Sequence, residues 1–383
     1  MEKIDNEENT RNMNKAQGRL TQIKTLEDLD IPIHEKRLYN PEASEEISIL
    51  DGDSTNLLVL EDPKFSWAFP LYQHMFAMRW GVEDVNMSSD PETYNKLTAN
   101  EKEAFKGTLS FLAFLDSLQV NNTPEVANVI TAPEVTICFA EQTASEALHS
   151  VTYQHIFESL KLPREEIMEI YYKFRDISVL AERNKFIADI YQAYKDTPTL
   201  KTYIDVLIAD LLLEGLYFYN GFSFFYNLAS RGLVMGTAGN IKLINKDEAT
   251  HVLLYQRVIN EVLKLCNEEL KQYIYDRTIE MTEIAIQQEI EWSNLMYGDG
   301  KILGINNKSI SDYTNYLAYK NIYRSILPKK DSRIEYLKGF QNPYRHLDKI
   351  SNIDGTGDNK AGFFETGTTD YMNVTIFEDF KDF

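Results

Sequence analysis

Two short motifs in this sequence pair a glutamate with a histidine three residues later. They are Glu146 with His149, and Glu248 with His251. Residues three apart on an α-helix lie on the same face, so the two side chains of each pair can bind one metal ion. One such pair often arises by chance, but its recurrence inside a second helical pattern indicates a metal site.

Each motif follows a helical segment that is mostly apolar but carries an acid. Asp116 lies in FLAFLDSLQV and Glu214 lies in ADLLLEGLYFYNGF. The order is an acid helix, a Glu-x-x-His helix, a second acid helix and a second Glu-x-x-His helix. This order is typical of ferritin-like di-iron and di-manganese carboxylate bundles. We therefore predict an all-α protein, a ferritin-like helical bundle with additional helices around a dimetal-carboxylate site.

Four carboxylates and two imidazoles are ligands that suit iron or manganese. Carboxylates can bridge two ions, each histidine can bind one, and open positions remain for dioxygen. A single buried aspartate more often pairs with an arginine, and a single inward histidine is more often an ordinary core residue. Six such residues in this order outweigh that alternative, and two cysteines are too few for a cysteine-rich zinc or iron–sulfur site. The predicted ligands are Asp116, Glu146, His149, Glu214, Glu248 and His251.

Tyr153 lies one helical turn after His149 on the same face. A phenol beside an oxidised dimetal centre could lose an electron and a proton and become a radical. Phe218, Phe222 and Ile244, each one or two turns from a predicted ligand, would surround it with apolar groups. The alternative is that all four are ordinary core residues, since a chain with 23 tyrosines often places one at this spacing.

The elements that must position these residues are long helices. Thr98 and Glu101 form a predicted capping box at the start of the first acid helix. Asp116 and Gln119 share its inner stripe, and Asn122 with Pro124 predicts its end. No strand alternation of any length occurs. Further helices are predicted over residues 70–80, 133–160, from 163, and over 200–228, 239–265, 267–296 and 309–345.

Two other segments allow a choice of environment. A charged segment with Arg175, Glu182 and Arg183 predicts a solvated face. Residues 208–229 carry only two charged side chains, Asp210 and Glu214, and their length would permit a membrane-spanning helix. A helix that is apolar all round is equally expected at the centre of a large bundle, and two acids would be costly in lipid. We therefore predict a buried helix.

The composition narrows the class of protein. The 383 residues include 39 basic and 59 acidic side chains, a formal net charge of −20, which argues against nucleic acid and anionic membranes as partners. Cys138 and Cys266 lie in apolar helical sequence and predict reduced, buried thiols. The charged first residues lack the apolar core of a signal peptide, so we expect a cytoplasmic protein. The predicted divisions are a flexible segment 1–30, the metal-binding domain 31–347 and a flexible tail 348–383.

With these motifs the sequence resembles the small, radical-generating subunit of class I ribonucleotide reductase, over roughly residues 70–300. The phrases FLAFLDSLQ, SEALHSVTYQHI and INKDEATHVLLYQ carry the resemblance. It implies that Tyr153 is the radical site. It also assigns one metal to Asp116, Glu146 and His149, and the other to Glu214, Glu248 and His251.

The resemblance further implies a route for the radical. Trp80 and Asp247 match residues that link to His149 by hydrogen bonds, and Tyr371 in the tail matches a mobile redox tyrosine. The final IFEDFKDF resembles a peptide that docks on the large subunit. Gln142 stands where some bacterial members carry tryptophan and others glutamine, which removes one candidate electron donor during oxygen activation.

The predicted protein is a homodimer with two iron ions per chain, or two manganese ions as the alternative. It would use dioxygen or a reduced oxygen species to form the Tyr153 radical, and relay it to the large (alpha) subunit that reduces ribonucleotides. One rival is a ferritin-like oxidase or hydroxylase that acts directly on a small substrate. The other is a helical interaction protein with degenerate ligands. The sequence leaves open whether iron or manganese binds and whether a flavoprotein activator supplies the oxidant.

Overall fold

The computed structural model describes Leu26 and residues 28–347, and within them it is helical without any strand. Four isolated bridges are the only strand-like pairings in these residues. The prediction of an all-α protein is thus confirmed. The helices are α1 (Ala68–Ala77), α2 (Asp90–Asn95), α3 (Ala99–Ala127), α4 (Pro133–Ser159), α5 (Arg164–Tyr172), α6 (Ser178–Asp196), α7 (Leu200–Leu212), α8 (Tyr219–Ser230), α9 (Met235–Leu265), α10 (Glu268–Tyr297), α11 (Asn307–Leu317) and α12 (Arg324–Ile326).

Helix α3, which carries the first acid, starts where the capping box predicts. The Thr98 hydroxyl accepts from the Glu101 amide at 3.2 Å, and the Glu101 carboxylate accepts from the Thr98 amide at 2.8 Å. Its predicted end is wrong, because the helix continues through Pro124 to Ala127. Asn122 donates to the buried Asp210 of α7 at 3.0 Å, so packing holds this last stretch in the helix.

The second acid helix is not continuous. Helix α7 leads into a π-helical stretch, Leu213–Tyr217, called here the first π segment, and α8 follows after Phe218. A second π segment, Ala318–Tyr323, joins α11 to α12 and packs against the first. Single π turns inside α-helices often lie at functional sites, because they change the direction of one side chain.

Helix α9 begins at Met235, four residues before the predicted start near Gly239. Asp90 of α2 explains the difference, since its carboxylate accepts from the Gly236 amide at 2.9 Å and the Thr237 amide at 2.6 Å. A carboxylate from another helix thereby caps the free amides of the first turn and opposes the positive end of the helix dipole.

The prediction of a solvated face is wrong for one residue. Arg175 and Glu182 are exposed, but Arg183 is buried. It pairs with the buried Glu289 of α10, and its guanidinium carbon lies 3.5 Å from the centre of the Phe111 ring. The buried environment of Arg183 could not be predicted from its neighbours in the sequence, because its apolar partners come from distant helices.

The core is formed where α3 packs on α4, α9 packs on α7 and α8, and α10 crosses α7. Both Cys138 and Cys266 are reduced and buried there, as predicted. Among the described residues, no helix combines the length and the apolar content needed to span a bilayer. Helices α3, α4, the first π segment and α9 direct their inner faces toward one point in this core.

Candidate metal centre

The six predicted ligands converge in the core and are fully buried. They form two overlapping groups, and in each group one candidate ligand atom per residue lies within 4.8 Å of the others. The first group is Asp116, Glu146, His149 and Glu248, and the second is Glu146, Glu214, Glu248 and His251. The sequence prediction that four helices bring these side chains together agrees with the geometry.

Glu146 and Glu248 belong to both groups. The Nδ1 atom of His149 lies 3.4 Å from Glu146 Oε2 and 3.2 Å from Glu248 Oε1. The Nδ1 atom of His251 lies 3.0 Å from Glu146 Oε1 and 2.8 Å from Glu248 Oε2. Each of these carboxylates therefore offers one oxygen to each side, which is the arrangement of a bridging ligand.

The chemistry of these atoms fits two cations. Each of the six side chains has one buried nitrogen or oxygen atom without a hydrogen-bond partner in the structure, and leaving such atoms unsatisfied costs free energy. For His251 this atom is Nε2, which does not count as a candidate ligand atom, because the nitrogen that faces the carboxylates is Nδ1. The atoms are Asp116 Oδ1, Glu146 Oε2, His149 Nδ1, Glu214 Oε2, Glu248 Oε1 and His251 Nε2.

The pKa shifts of the clustered side chains also indicate a site for cations. Burial, together with the nearby Glu146 and Glu248, raises the pKa of Asp116, and burial with the same two neighbours raises the pKa of Glu214. Burial opposes the charged form of both histidines, but the facing carboxylates outweigh it and raise the pKa of each. These directions have one cause, an excess of negative charge in a dry site, and divalent cations would neutralise it.

Tyr153 lies beside this cluster and is fully buried. Its hydroxyl donates to Asp116 Oδ2 at 2.6 Å. Burial and the Asp116 carboxylate raise the pKa of this phenol, so it stays protonated and can lose an electron only together with its proton. Phe218, Phe222 and Ile244 are also fully buried, while their contact with the phenol stays a prediction.

Trp80 and Asp247 lie next to His149, as the resemblance implies. The indole Nε1 of Trp80 donates to Asp247 Oδ2 at 2.8 Å, and the same oxygen lies 3.1 Å from His149 Nε2. The Trp80 and His149 rings are nearly parallel, with centres 6.3 Å apart. A carboxylate in this position fixes the orientation of the imidazole whose other nitrogen faces the metal site.

Two glutamines that were not predicted as site residues hold Glu214. Gln119 Nε2 donates to Glu214 Oε1 at 2.8 Å, and Gln142 Nε2 donates to the same oxygen at 3.1 Å. The signal for Gln119 was its position one turn after Asp116 on the inner stripe. Gln142 was noticed only as a difference from some relatives.

A second polar cluster adjoins the site and was also missed. The hydroxyl of Tyr191 donates to Asp210, and Asn122 donates to the same carboxylate oxygen at 3.0 Å. The available signal was Asp210 itself, an acid one turn before Glu214 in an apolar helix. No local pattern indicates that α6 supplies its phenolic partner.

Side chains from other helices bind carbonyl groups of the first π segment. Arg183 donates to the Tyr217 carbonyl at 2.6 Å, and Asn321 of the second π segment donates to the Gly215 carbonyl at 2.8 Å. A Cβ atom on Gly215 would lie only 3.1 Å from Ile322 Cδ1, so the two π segments are in close contact there. Tyr371 and the tail predicted for docking lie outside the described residues.

Buried carboxylates and histidines on four helices of a bundle define a dimetal-carboxylate protein of the ferritin-like class. The sequence model of the family described as "Ribonucleotide reductase, small chain" matches residues 57–323. The chain therefore belongs to the family of ribonucleotide reductase small chains, and the resemblance seen in the sequence is confirmed.

This chain is similar to relatives and to solved structures over nearly their whole length. The ribonucleoside-diphosphate reductase subunit beta of Halalkalibacterium halodurans is 33% identical over 357 residues, 91% of this chain and 99% of the relative. The ribonucleotide reductase R2 subunit from Clostridium botulinum has a TM-score of 0.76 at 32% identity, covering 84% of this chain and 99% of that one. A dimanganese(II)-NrdF from Streptococcus sanguinis, at 18% identity and a TM-score of 0.63, supports the fold alone.

Proposed function

We propose that this chain generates and holds the tyrosyl radical of a ribonucleoside-diphosphate reductase, and that the radical serves the reduction of ribonucleotides to deoxyribonucleotides. One observation carries the proposal: the Tyr153 hydroxyl lies 2.6 Å from Asp116, a member of the buried six-residue cluster. Family membership supports an oxidoreductase subunit and gives no support to a ferritin-like oxidase that acts directly on a small substrate.

The six clustered side chains would hold two divalent metal ions, and Glu146 and Glu248 belong to both groups of candidate ligands. Iron is the first candidate, and manganese is the alternative because oxygen and imidazole ligands suit both. With dioxygen or a reduced oxygen species, such a pair of ions supplies a strong one-electron oxidant next to Tyr153. The protein contributes a dry pocket, since every side chain of the cluster is fully buried.

Asp116 serves as the proton acceptor for Tyr153. Oxidation of a neutral phenol releases its proton. The Tyr153 hydroxyl donates its hydrogen bond to the Asp116 carboxylate, so this carboxylate is placed to take the proton. Moving the proton by one short hydrogen bond keeps it near the radical, so the phenol can be restored when an electron returns. A buried, water-excluded radical has few partners with which to react.

Asp247 connects the site to Trp80, which is only partly buried. We propose that this route, from Tyr153 through His149, Asp247 and Trp80, carries the oxidising equivalent toward a large subunit. The tail 348–383, with Tyr371, would complete the route and dock on that subunit. The chain would act as a homodimer, in keeping with its family.

The test is electron paramagnetic resonance after metal loading and aerobic oxidation. The wild-type protein should develop a stable organic radical that lasts for minutes, and Tyr153→Phe should lack it while still binding two metal ions per chain. Anomalous diffraction at the iron and manganese edges, on protein from its native host, identifies the ions. A stable radical that persists in Tyr153→Phe, or a protein that binds no metal, would refute the proposal.

A further inference from the structure

Trp80, the outermost described residue of the proposed route, does not lie in a helix. It lies in residues 78–81, called here the link, between the end of α1 at Ala77 and a 3-10 turn that begins at Val82. Its indole Nε1 donates to Asp247 of α9, and its ring is nearly parallel to that of His149 on α4. The direction of the indole therefore depends on what holds the link in place.

Arg79, the residue before Trp80, binds α4 through two hydrogen bonds. Its Nε atom donates to Glu141 Oε1 at 2.5 Å, and its Nη2 atom donates to Glu141 Oε2 at 2.6 Å. The guanidinium also lies over the ring of Phe76 in α1, with 4.4 Å between its central carbon and the ring centre. A bidentate pair fixes direction as well as distance, so these contacts restrict how the link can rotate.

The pair connects the link to the helix that carries His149. Both Glu141 and His149 belong to α4, and the Glu141 side chain is only 4% exposed, whereas that of Arg79 is 54% exposed. The carboxylate is therefore the fixed member of the pair, and the arginine is the member whose position it determines.

The contacts between Trp80 and His149 need three elements in the correct relative position. Asp247 Oδ2 accepts from Trp80 at 2.8 Å and lies 3.1 Å from His149 Nε2. An indole carries a single donor, so the bond to Asp247 is the one hydrogen bond that its side chain can make. The pair of Arg79 with Glu141 adds an independent connection between the link and α4.

A purely stabilising role is the alternative for this pair. An ion pair with an exposed arginine contributes little to stability, because water screens its charge. A second pair in the chain provides a comparison: Arg231 Nη1 lies 2.6 Å from Glu101 Oε1, and the glutamate side chain is again 4% exposed. That pair joins the residue after α8 to the first turn of α3, away from the link. Its loss should affect stability without moving Trp80.

We propose that Arg79 and Glu141 are positioning residues for Trp80. They fix the residue before Trp80 on α4, and thereby hold the indole against Asp247 and parallel to His149. The consequence for transfer of the oxidising equivalent through Trp80 rests on the proposed function. The position of the indole is a property of the chain itself and can be measured without metal.

The first measurement is fluorine NMR on the metal-free full chain labelled with 5-fluorotryptophan. The chain has three tryptophans, and the Trp80 signal is identified by its loss in Trp80→Phe. Arg79→Met and Glu141→Gln should each shift and broaden this signal. Arg79→Lys, which keeps the charge without the bidentate geometry, should give a smaller shift. The matched control Arg231→Met should leave the Trp80 signal unchanged.

The second measurement is ribonucleotide reduction by the metal-loaded chain with the large subunit from the same host. Arg79→Met should lower kcat by about tenfold or more, because small displacements of reacting groups have large effects on rate. The concentration of large subunit that gives half-maximal turnover should stay unchanged. If that concentration rises while kcat is unchanged, Arg79 contacts the large subunit instead of positioning Trp80, and the inference is wrong.

The outcomes separate the two proposals. An unchanged Trp80 signal in Arg79→Met, or an equal shift in Arg231→Met, overturns the positioning role and leaves that of Tyr153 intact. A shifted signal with full turnover also overturns it. A metal-loaded wild-type protein without a Tyr153 radical overturns the proposed function, whereas the fluorine result still decides the position of the indole. If Arg79→Met does not fold, as judged by circular dichroism, Arg79→Lys decides, and an unchanged signal there overturns the inference.

Discussion

The two halves of the metal centre are built from the same sequence pattern but are supported differently. In the half around His149, helix α3 is unbroken, the histidine is oriented by Asp247, and Asp116 accepts the Tyr153 hydrogen bond. In the half around His251, the acid helix is opened into a π segment and its glutamate is held by two glutamine amides. The Nε2 atom of His251 has no hydrogen-bond partner in the structure.

This difference shows what the repeated motif leaves undetermined. The motif brings an acid, a glutamate and a histidine to each half, while residues elsewhere decide what each half can do. The His149 half contacts groups that can transfer protons and electrons. The His251 half is held through neutral amides and through the backbone, which fix a carboxylate without competing for its charge.

The support of the His251 half comes from the backbone of the first π segment. A π turn leaves carbonyl groups out of the regular hydrogen-bond pattern, and two of them are bound by Arg183 and Asn321. Glu214 lies in the same segment, so its position depends on these contacts. Variants that remove one supporting contact at a time therefore test whether the two halves are held independently.

The largest effect is expected for Arg183→Met, which leaves Glu289 buried without its cationic partner. Removing one member of a buried pair costs roughly 3–5 kcal/mol of unfolding free energy, and the Tyr217 carbonyl also loses its donor. Urea denaturation of the metal-free protein measures this loss. Exposed Arg175→Met is the matched control and should change stability by less than about 0.5 kcal/mol.

The loss should depend on pH in a defined direction. Burial raises the pKa of Glu289 to about 7, against the opposing effect of Arg183. Without Arg183 this pKa rises further, so the folded variant holds a proton that the unfolded chain releases. The stability of Arg183→Met should therefore fall as the pH rises from the pKa of Glu289 in the unfolded chain to its pKa in the folded variant. A loss that is the same at pH 5 and pH 8, or one that Arg183→Met/Glu289→Gln does not relieve, would contradict this explanation.

The difference between the halves also explains how far the sequence could predict the molecule. Asp116, Glu214 and the two Glu-x-x-His pairs were predictable, because helical spacing alone places them on inner faces. The capping box at Thr98 was predictable for the same reason, since it is a local interaction. Local patterns therefore revealed the ligands and the start of their first helix.

The supports of the His251 half were not predictable in this way. Arg183 was expected in solvent because its neighbours in the sequence are charged, but its partners Phe111 and Glu289 belong to distant helices. The π segment has no distinctive sequence, as its wider turn depends on donors from α6 and the second π segment. Tertiary contacts determine both features.

An intermediate effect is expected for Asp247→Ala, which removes the acceptor beside His149 Nε2. Loss of such a partner typically weakens metal binding by about 10–100-fold. Manganese titration followed by electron paramagnetic resonance should show one weakened site per chain and one unchanged site. Trp80→Phe, which keeps the carboxylate, should weaken binding less. Equal weakening of both sites would contradict the separate support of the two halves.

The smallest effect is expected for Asn321→Ala, which removes the donor to the Gly215 carbonyl. A single hydrogen bond of this kind contributes about 1 kcal/mol to the free energy of unfolding. The matched control is Asn315→Ala, because Asn315 donates only within its own helix, to Ser311. Urea denaturation should separate the two variants by most of that amount.

The same variant tests whether the backbone supports Glu214. Asn321 donates to the carbonyl of Gly215, the residue next to Glu214 in the first π segment. Manganese titration should therefore show weaker binding at the site of His251 and unchanged binding at the site of His149. This result would be the reverse of that expected for Asp247→Ala. If both sites stay unchanged while stability falls, the contact between the π segments stabilises the fold without positioning the ligand.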